Sequence, residues 1–247
     1  AMGNGADPAG LAVSAAGYTL IPSDTVLAPG VPATFSFRIL QSDGRPLTRY
    51  TPEHTKELHF IVVRRDLTGY QHLHPTRSAD GTWSVPLILA APGGYKAFAD
   101  FQPVGASMPV VLAVDLFAPG DFQPAALPPP SVTTTVDGYT VTMTGTLAAA
   151  RSAALAFSVA NRGSPVTDLQ SYLGAYGHLV ALRIGDLAYL HVHPRGLPGD
   201  GRTAAGPLVT FGAEVLTAGT YQLFLEFKTA GVVHTAQFTA VAGREAP

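Results

Sequence analysis

The chain contains no cysteine. That excludes disulfides, zinc-thiolate sites and the thiolate-ligated blue copper centre together. Charge is scarce as well, with charged residues at 13% and a formal net charge of -2 from 15 Lys+Arg against 17 Asp+Glu. These charges are spread along the chain, so no basic stripe offers itself to phosphates and nucleic acid is not expected as a partner. No apolar run reaches the roughly 18 residues that a transmembrane helix needs, so no transmembrane segment is expected. The HExxH helix of metalloproteases, the Gly-x-Ser-x-Gly elbow and the phosphate-binding loop are all missing, and no Glu stands beside the histidines as an obvious base.

What is present is apolar and punctuated. Hydrophobic residues make up 47% of the 247, and 26 Gly and 21 Pro break short runs rich in Val, Thr, Phe and Tyr. This is the profile of an all-β protein, at a length that suits one large or two modest domains. Only three of the basic residues are Lys, and with abundant Ala, Gly and Pro this composition suggests a high-GC bacterium. Residues 1–10, AMGNGADPAG, read as a cloning scar and a disordered small-residue leader of the kind left after a processed signal or anchor site.

A repeat organises the rest. YQHLHP at 70–75 returns as YLHVHP at 189–194, an offset of 119 that also carries His59 onto His178. Upstream, ATFSFRI from Ala33 lies over AALAFSV from Ala153, and downstream GGYKAFADF lies over AGTYQLFLEF with the shift grown to 126. The extra residues fall in the loop RGLPGDGRTAAG, where insertions are tolerated. The chain therefore reads as an internal duplication: a first β-sandwich over 11–117, a proline-rich semi-rigid spacer over 118–130, and a second β-sandwich over 131–247. About seven short strands per copy favour a sandwich of immunoglobulin or cupredoxin type, and the Gly-x-Tyr before a strand in both copies, with Gly94 and Tyr95 in the first and Gly219, Thr220 and Tyr221 in the second, resembles the tyrosine corner of such folds.

Seven of the eight histidines fall in the matched motifs, with His54 outside them in a turn-like TPEHTKE. Residues i and i+2 of a strand share a face, so His72 and His74 lie side by side, as do His191 and His193. In the second copy Gly185 and Asp186 read as a two-residue hairpin turn, and pairing Ile184 with Leu187 sets His178 opposite His193 with His191 diagonal to it. The same register sets His59 opposite His74. Directly opposed Cβ atoms lie about 4.5–5.5 Å apart, within reach of one shared ion. Met108 and His234 occupy matching positions further on and are the candidates for a fourth ligand. Asp100 and Glu226 also match, as residues that could orient an imidazole or as plain solvated strand ends, while Asp66 and Asp186 serve the turns. The bland alternative is a set of copied histidines that pack structurally, against which stands the cost of desolvating several imidazoles without partners, roughly a few kcal/mol each.

Imidazole nitrogen suits copper, zinc, nickel or iron, and copper heads the affinity series for such sites, with zinc as the rival. The motifs HLHP with GYKAFADF, and HVHP with TYQLFLEF, resemble exported bacterial cupredoxin-like or immunoglobulin-like modules. That resemblance implies a secreted, periplasmic or surface protein that binds or delivers copper, with a membrane or exported metal-handling protein as a further partner. Two other readings stay open: a bicupin-type metalloenzyme, for which only Asp80 and Asp200 follow the His-x-His pairs, and a structural surface or adhesion module without metal.

Overall fold

Phe35, Phe37 and Ile39 alternate with Thr34, Ser36 and Arg38, the period of a strand with one face buried and the other wet. The computed structural model describes residues 8–190 and 192–243, and it builds this segment into the first of two compact units, Ala9–Leu127 and one based on Pro128–Pro247. Among the described residues both units are all-β.

The first unit contains β1 (Ser14–Ala15), β2 (Tyr18–Pro22), β3 (Ala33–Leu40), β4 (Tyr50–Thr51), β5 (Leu58–Arg64), β6 (Gln71–Leu73), β7 (Thr76–Arg77), β8 (Thr82–Leu87), β9 (Gly93–Pro103) and β10 (Val110–Ala118). They form two antiparallel sheets, β1-β2-β3-β8-β7 and β10-β9-β5-β6, with β4 added to β9. Phe35, Phe37 and Ile39 from one sheet meet Phe60, Val62, Ala97 and Ala99 from the other in a single core. Phe60 stacks against Phe35 and Phe37, with ring centres 5.5 and 5.1 Å away.

The second unit repeats the plan with β11 (Thr133–Val136), β12 (Tyr139–Thr144), β13 (Leu147–Ala148), β14 (Arg151–Asn161), β15 (Ser164–Pro165), β16 (Gly177–Arg183), β17 (Tyr189–Leu190), β18 (Val192–Arg195), β19 (Leu208–Val215), β20 (Gly219–Thr229) and β21 (Val232–Gly243). Its sheets are β11-β12-β14-β19-β18, with β15 on β14, and β13-β21-β20-β16-β17. The expected tandem β-sandwich is thus observed. In both units the tyrosine hydroxyl donates to a carbonyl four residues upstream, Tyr95 to Ala91 at 2.8 Å and Tyr221 to Thr217 at 2.9 Å.

Two boundaries differ from the sequence reading. Residues 1–7 of the expected leader lie outside the described residues, while Ala9 and Gly10 already belong to the first unit and Gly10 is buried. The spacer expected over 118–130 is bound to the first unit as far as Leu127. Proline keeps this segment out of a ladder, but the tip of the β5–β6 hairpin holds it by other means. Asp66 accepts from Ala125 N at 2.9 Å, Arg64 donates to the Gln123 carbonyl at 3.3 Å, and the Arg64 guanidinium lies 5.3 Å from the centre of the Phe122 ring. Burial disfavours the Asp66 charge, yet the bonds from Arg64, Ala125 and Thr68 outweigh it and hold this carboxyl well below the usual range.

Phe60 supplies a test of this core. Replacing Phe60 by Ala empties the space between two stacked rings and is expected to destabilise the protein by about 3–5 kcal/mol. Urea unfolding checks it; a cost below about 1 kcal/mol would contradict the packing described.

Candidate metal centre

The pleat divides β5 between two faces. Leu58, Phe60 and Val62 enter the core, so His59, Ile61 and Val63 stand on the other face of the sheet. Pairing of β5 with β6 matches Phe60 to Leu73 and Ile61 to His72, which puts His72 on the face of His59. The next step of that register is His59 against His74, as the sequence predicts, although the ladder itself ends at Leu73. Pro75, buried and without an N–H, closes the strand there. Across β9 the partner of His59 is Asp100, on the same face.

The three rings converge. Centres are 5.2 Å apart for His59 and His72, 5.2 Å for His59 and His74, and 4.8 Å for His72 and His74, and one ligand nitrogen from each lies within 4.8 Å of the others. Metal–nitrogen bonds of about 2.0–2.1 Å place the ring centres of two imidazoles on a tetrahedral ion about 5 Å apart, so the separations fit a shared ion. His59 is buried, its Nδ1 sits 3.0 Å from His72 Nε2, and its Nε2 sits 3.0 Å from the Glu53 carbonyl. His74 Nε2 is buried with no hydrogen-bond partner. A buried orphan nitrogen beside two imidazoles is what a ligand awaiting an ion presents. Burial pulls His74 down to about 4, and the His72 and Lys56 charges push the same way.

Other predicted residues are placed differently. Met108 stands in the loop before β10 and is 61% exposed. His54 occupies a turn whose residues Glu53 and Lys56 exchange backbone bonds, its ring centre 6.1 Å from that of His59.

In the second unit the register expected for the hairpin holds between β16 and β17, with Ala181 opposite Leu190 and Leu182 opposite Tyr189. The turn is a four-residue loop rather than two, closed by Leu187 N donating to the Arg183 carbonyl and braced by Asp186, which accepts from Arg183 and Ala188 N. His191 lies outside the described residues. His193, expected opposite His178, instead pairs with Gly212 on β19 of the other sheet and is exposed. The position matching Gly212 by the 126 shift is Pro86, which has no N–H to give, and the β7–β8 ladder stops at Thr76 and Ser84. His74 therefore stays outside that ladder, free to sit over the hairpin, whereas His193 is drawn across. His178 is buried opposite Glu226, with Nε2 2.9 Å from the Tyr172 carbonyl.

His234, expected as a further ligand, is on the core-facing side of β21, paired with Phe227, whereas His178 is on the other side of that sheet. Both His234 nitrogens are engaged, Nδ1 with Asp137 at 2.8 Å and Nε2 with Thr229 Oγ1 at 2.8 Å. Among the described residues, only His59, His72 and His74 form a three-ligand group of His, Asp and Glu. The two acids that a bicupin site would call on serve loops instead. Asp80 is held below the usual carboxylate range by Ser78 and Thr82, and Asp200 by Thr203 and neighbouring backbone N–H groups.

The family model described as Domain of unknown function (DUF8832) matches residues 13–116 and 134–243, one match per unit. No curated protein matches the chain. Among solved structures, a DUF4426 family protein of Pseudomonas aeruginosa is 8% identical over 46% of this chain and 98% of that one, with a TM-score of 0.33. The Escherichia coli adhesin FdeC is 14% identical over 95% of this chain and 66% of its own, with a TM-score of 0.30. Invasin, a bacterial integrin-binding protein, is 14% identical over 94% of this chain and 41% of its own, with a TM-score of 0.28.

The half-buried His74, with its Nε2 shielded from solvent, gives the metal-free protein a pH signature. Its folded value near 4 is below its ordinary 6.5, so unfolding takes up a proton between these values. Stability from this group is complete above about pH 6.5 and is lost as pH falls toward 4. Thermal midpoints measured across this window should fall less steeply for His74→Phe than for the parent; parallel slopes would rule out a His74 held neutral in the folded protein.

Proposed function

The chain belongs, in both repeats, to the domain family just described, and on that premise we propose that it is an extracytoplasmic metal-binding protein that carries or sequesters copper, with zinc as the rival ion. The convergence of His59, His72 and His74, with the partnerless buried nitrogen of His74, carries this reading. Three imidazoles and no thiolate make a nitrogen site of the kind that copper and zinc favour, and copper leads the affinity order. All three ligands come from one hairpin of a packed sheet, so the site is set before the ion arrives and binding costs little reorganisation. The chemistry expected is holding and release rather than turnover. An exported or membrane-bound metal-handling protein is the partner that would receive the ion.

A second reading, a structural tandem module of the cell surface, is favoured by the second unit. That unit completes the same two sheets and a closed core while His193 joins the opposite sheet.

Calorimetric titration of metal-free protein with Cu(II) and with Zn(II) separates the two. Single replacement of His59, His72 or His74 by Ala should each weaken uptake at the first unit by at least about tenfold, as loss of a ligand does. His193→Ala should leave that uptake unchanged. No uptake by the parent protein, or dependence on only one of the three histidines, would discard the carrier reading in favour of the structural one.

A further inference from the structure

We infer that the first-unit centre binds its ion through Nδ1 of His59 together with Nε2 of His72 and of His74, and that the ion takes the place of a proton held between His59 and His72. This inference rests on the metal-binding reading of the same three residues.

The carbonyl oxygen of Glu53 can only accept, so His59 Nε2, 3.0 Å away, must carry the hydrogen and donate it. In the neutral ring the other nitrogen, Nδ1, is then a lone pair. Nδ1 faces His72 Nε2 at 3.0 Å, which requires His72 Nε2–H to be the donor there. An ion seated among the three rings needs lone pairs at both positions. His59 already offers one. His72 must move its hydrogen from Nε2 to Nδ1 through solvent, so the ring stays neutral and no net proton is released.

The device that fixes His59 is the turn from Glu53 to Lys56. Glu53 N donates to the Lys56 carbonyl at 2.8 Å, and Lys56 N donates back at 2.9 Å. The two residues between them, His54 and Thr55, sit at φ 49° and 69°. A β-branched residue in the left-handed region is costly, and it persists where the surroundings over-determine the backbone. The second unit builds the same turn. Tyr172 and Ala175 exchange the corresponding bonds, Leu173 and Gly174 have φ 52° and 75°, and the Tyr172 carbonyl lies 2.9 Å from His178 Nε2. Two unlike sequences, EHTK and YLGA, thus point one carbonyl at one histidine nitrogen. The turn is a positioning element that selects which nitrogen His59 presents.

Two-bond 1H–15N correlation spectra of uniformly labelled protein at pH 8 read the tautomers directly, first without metal and then with one equivalent of Zn(II). Without metal, His59 and His72 should both appear as Nε2–H rings. With zinc, His59 should remain Nε2–H with its Nδ1 resonance shifted by the ion, and His72 should have become Nδ1–H. Finding His59 as Nδ1–H in either state, or His72 unchanged while zinc is bound, overturns the inference even though metal binds. If the metal-free tautomers are as stated and zinc moves no histidine resonance, the ligation scheme falls together with the carrier reading. A Thr55→Gly variant, which keeps the turn, should preserve all of these tautomers. Thr55→Pro, which cannot adopt its φ, should release His59 from the Nε2–H form and weaken zinc at least about tenfold; tautomers and affinity unmoved by that change would show that the turn positions nothing.

Discussion

The two-residue period of one strand governs this site. In β5 the side chains of Leu58, Phe60 and Val62 fill the core, and each is locked there by rings and aliphatics from the facing sheet. His59 has no freedom to join them. It must stand on the opposite face, where the hairpin register brings His72 and the following His74 beside it. A slip of one residue would exchange the faces and drive an imidazole into the core, so packing of the apolar half enforces the geometry of the polar half.

Rigidity of this kind decides what the centre is suited to do. Its three imidazoles sit on a hairpin whose tip is clamped by the Arg64–Asp66 pair and by the chain beyond β10. The paired guanidinium and carboxylate are largely buried and share further bonds with Thr68 and backbone carbonyls, which offsets the cost of taking them out of water. The turn after β4 adds a carbonyl that orients His59. Such a frame presents nitrogens at fixed separations, an arrangement for recognition and holding.

Much of this was legible in the residues. The internal repeat, the sandwich class, the tyrosine corner and the hairpin register follow from alternation, Gly/Pro punctuation and a constant offset, all local signals. The joining of residues 118–127 to the first unit was not, because Phe122 and Ala125 reach Arg64 and Asp66 through tertiary contacts that no period announces. The register was read in the second copy and carried to the first, yet it is in the second that a single difference intervenes. Gly212 accepts a neighbouring strand where Pro86 does not, and His193 follows it to the other sheet. That contrast was readable at the 126 offset, but only once the strand beside it was known. His234 misled for a plainer reason: a match in number does not guarantee a match in face, and its ring points into the core against Phe227 and Tyr139. The turn around Glu53 shows in TPEHTKE, but the carbonyl it aims at His59 left no trace, since a backbone carbonyl is common to every residue.

Everything proposed for this site turns on one ion seated among His59, His72 and His74. Anomalous diffraction from crystals of the protein soaked separately with copper and with zinc, collected at each metal's absorption edge, tests it most directly. A single strong peak is expected about 2 Å from a nitrogen of each of these three rings, with His59 contributing Nδ1. A map with no peak there, or with metal bound only at exposed histidines elsewhere, would contradict it.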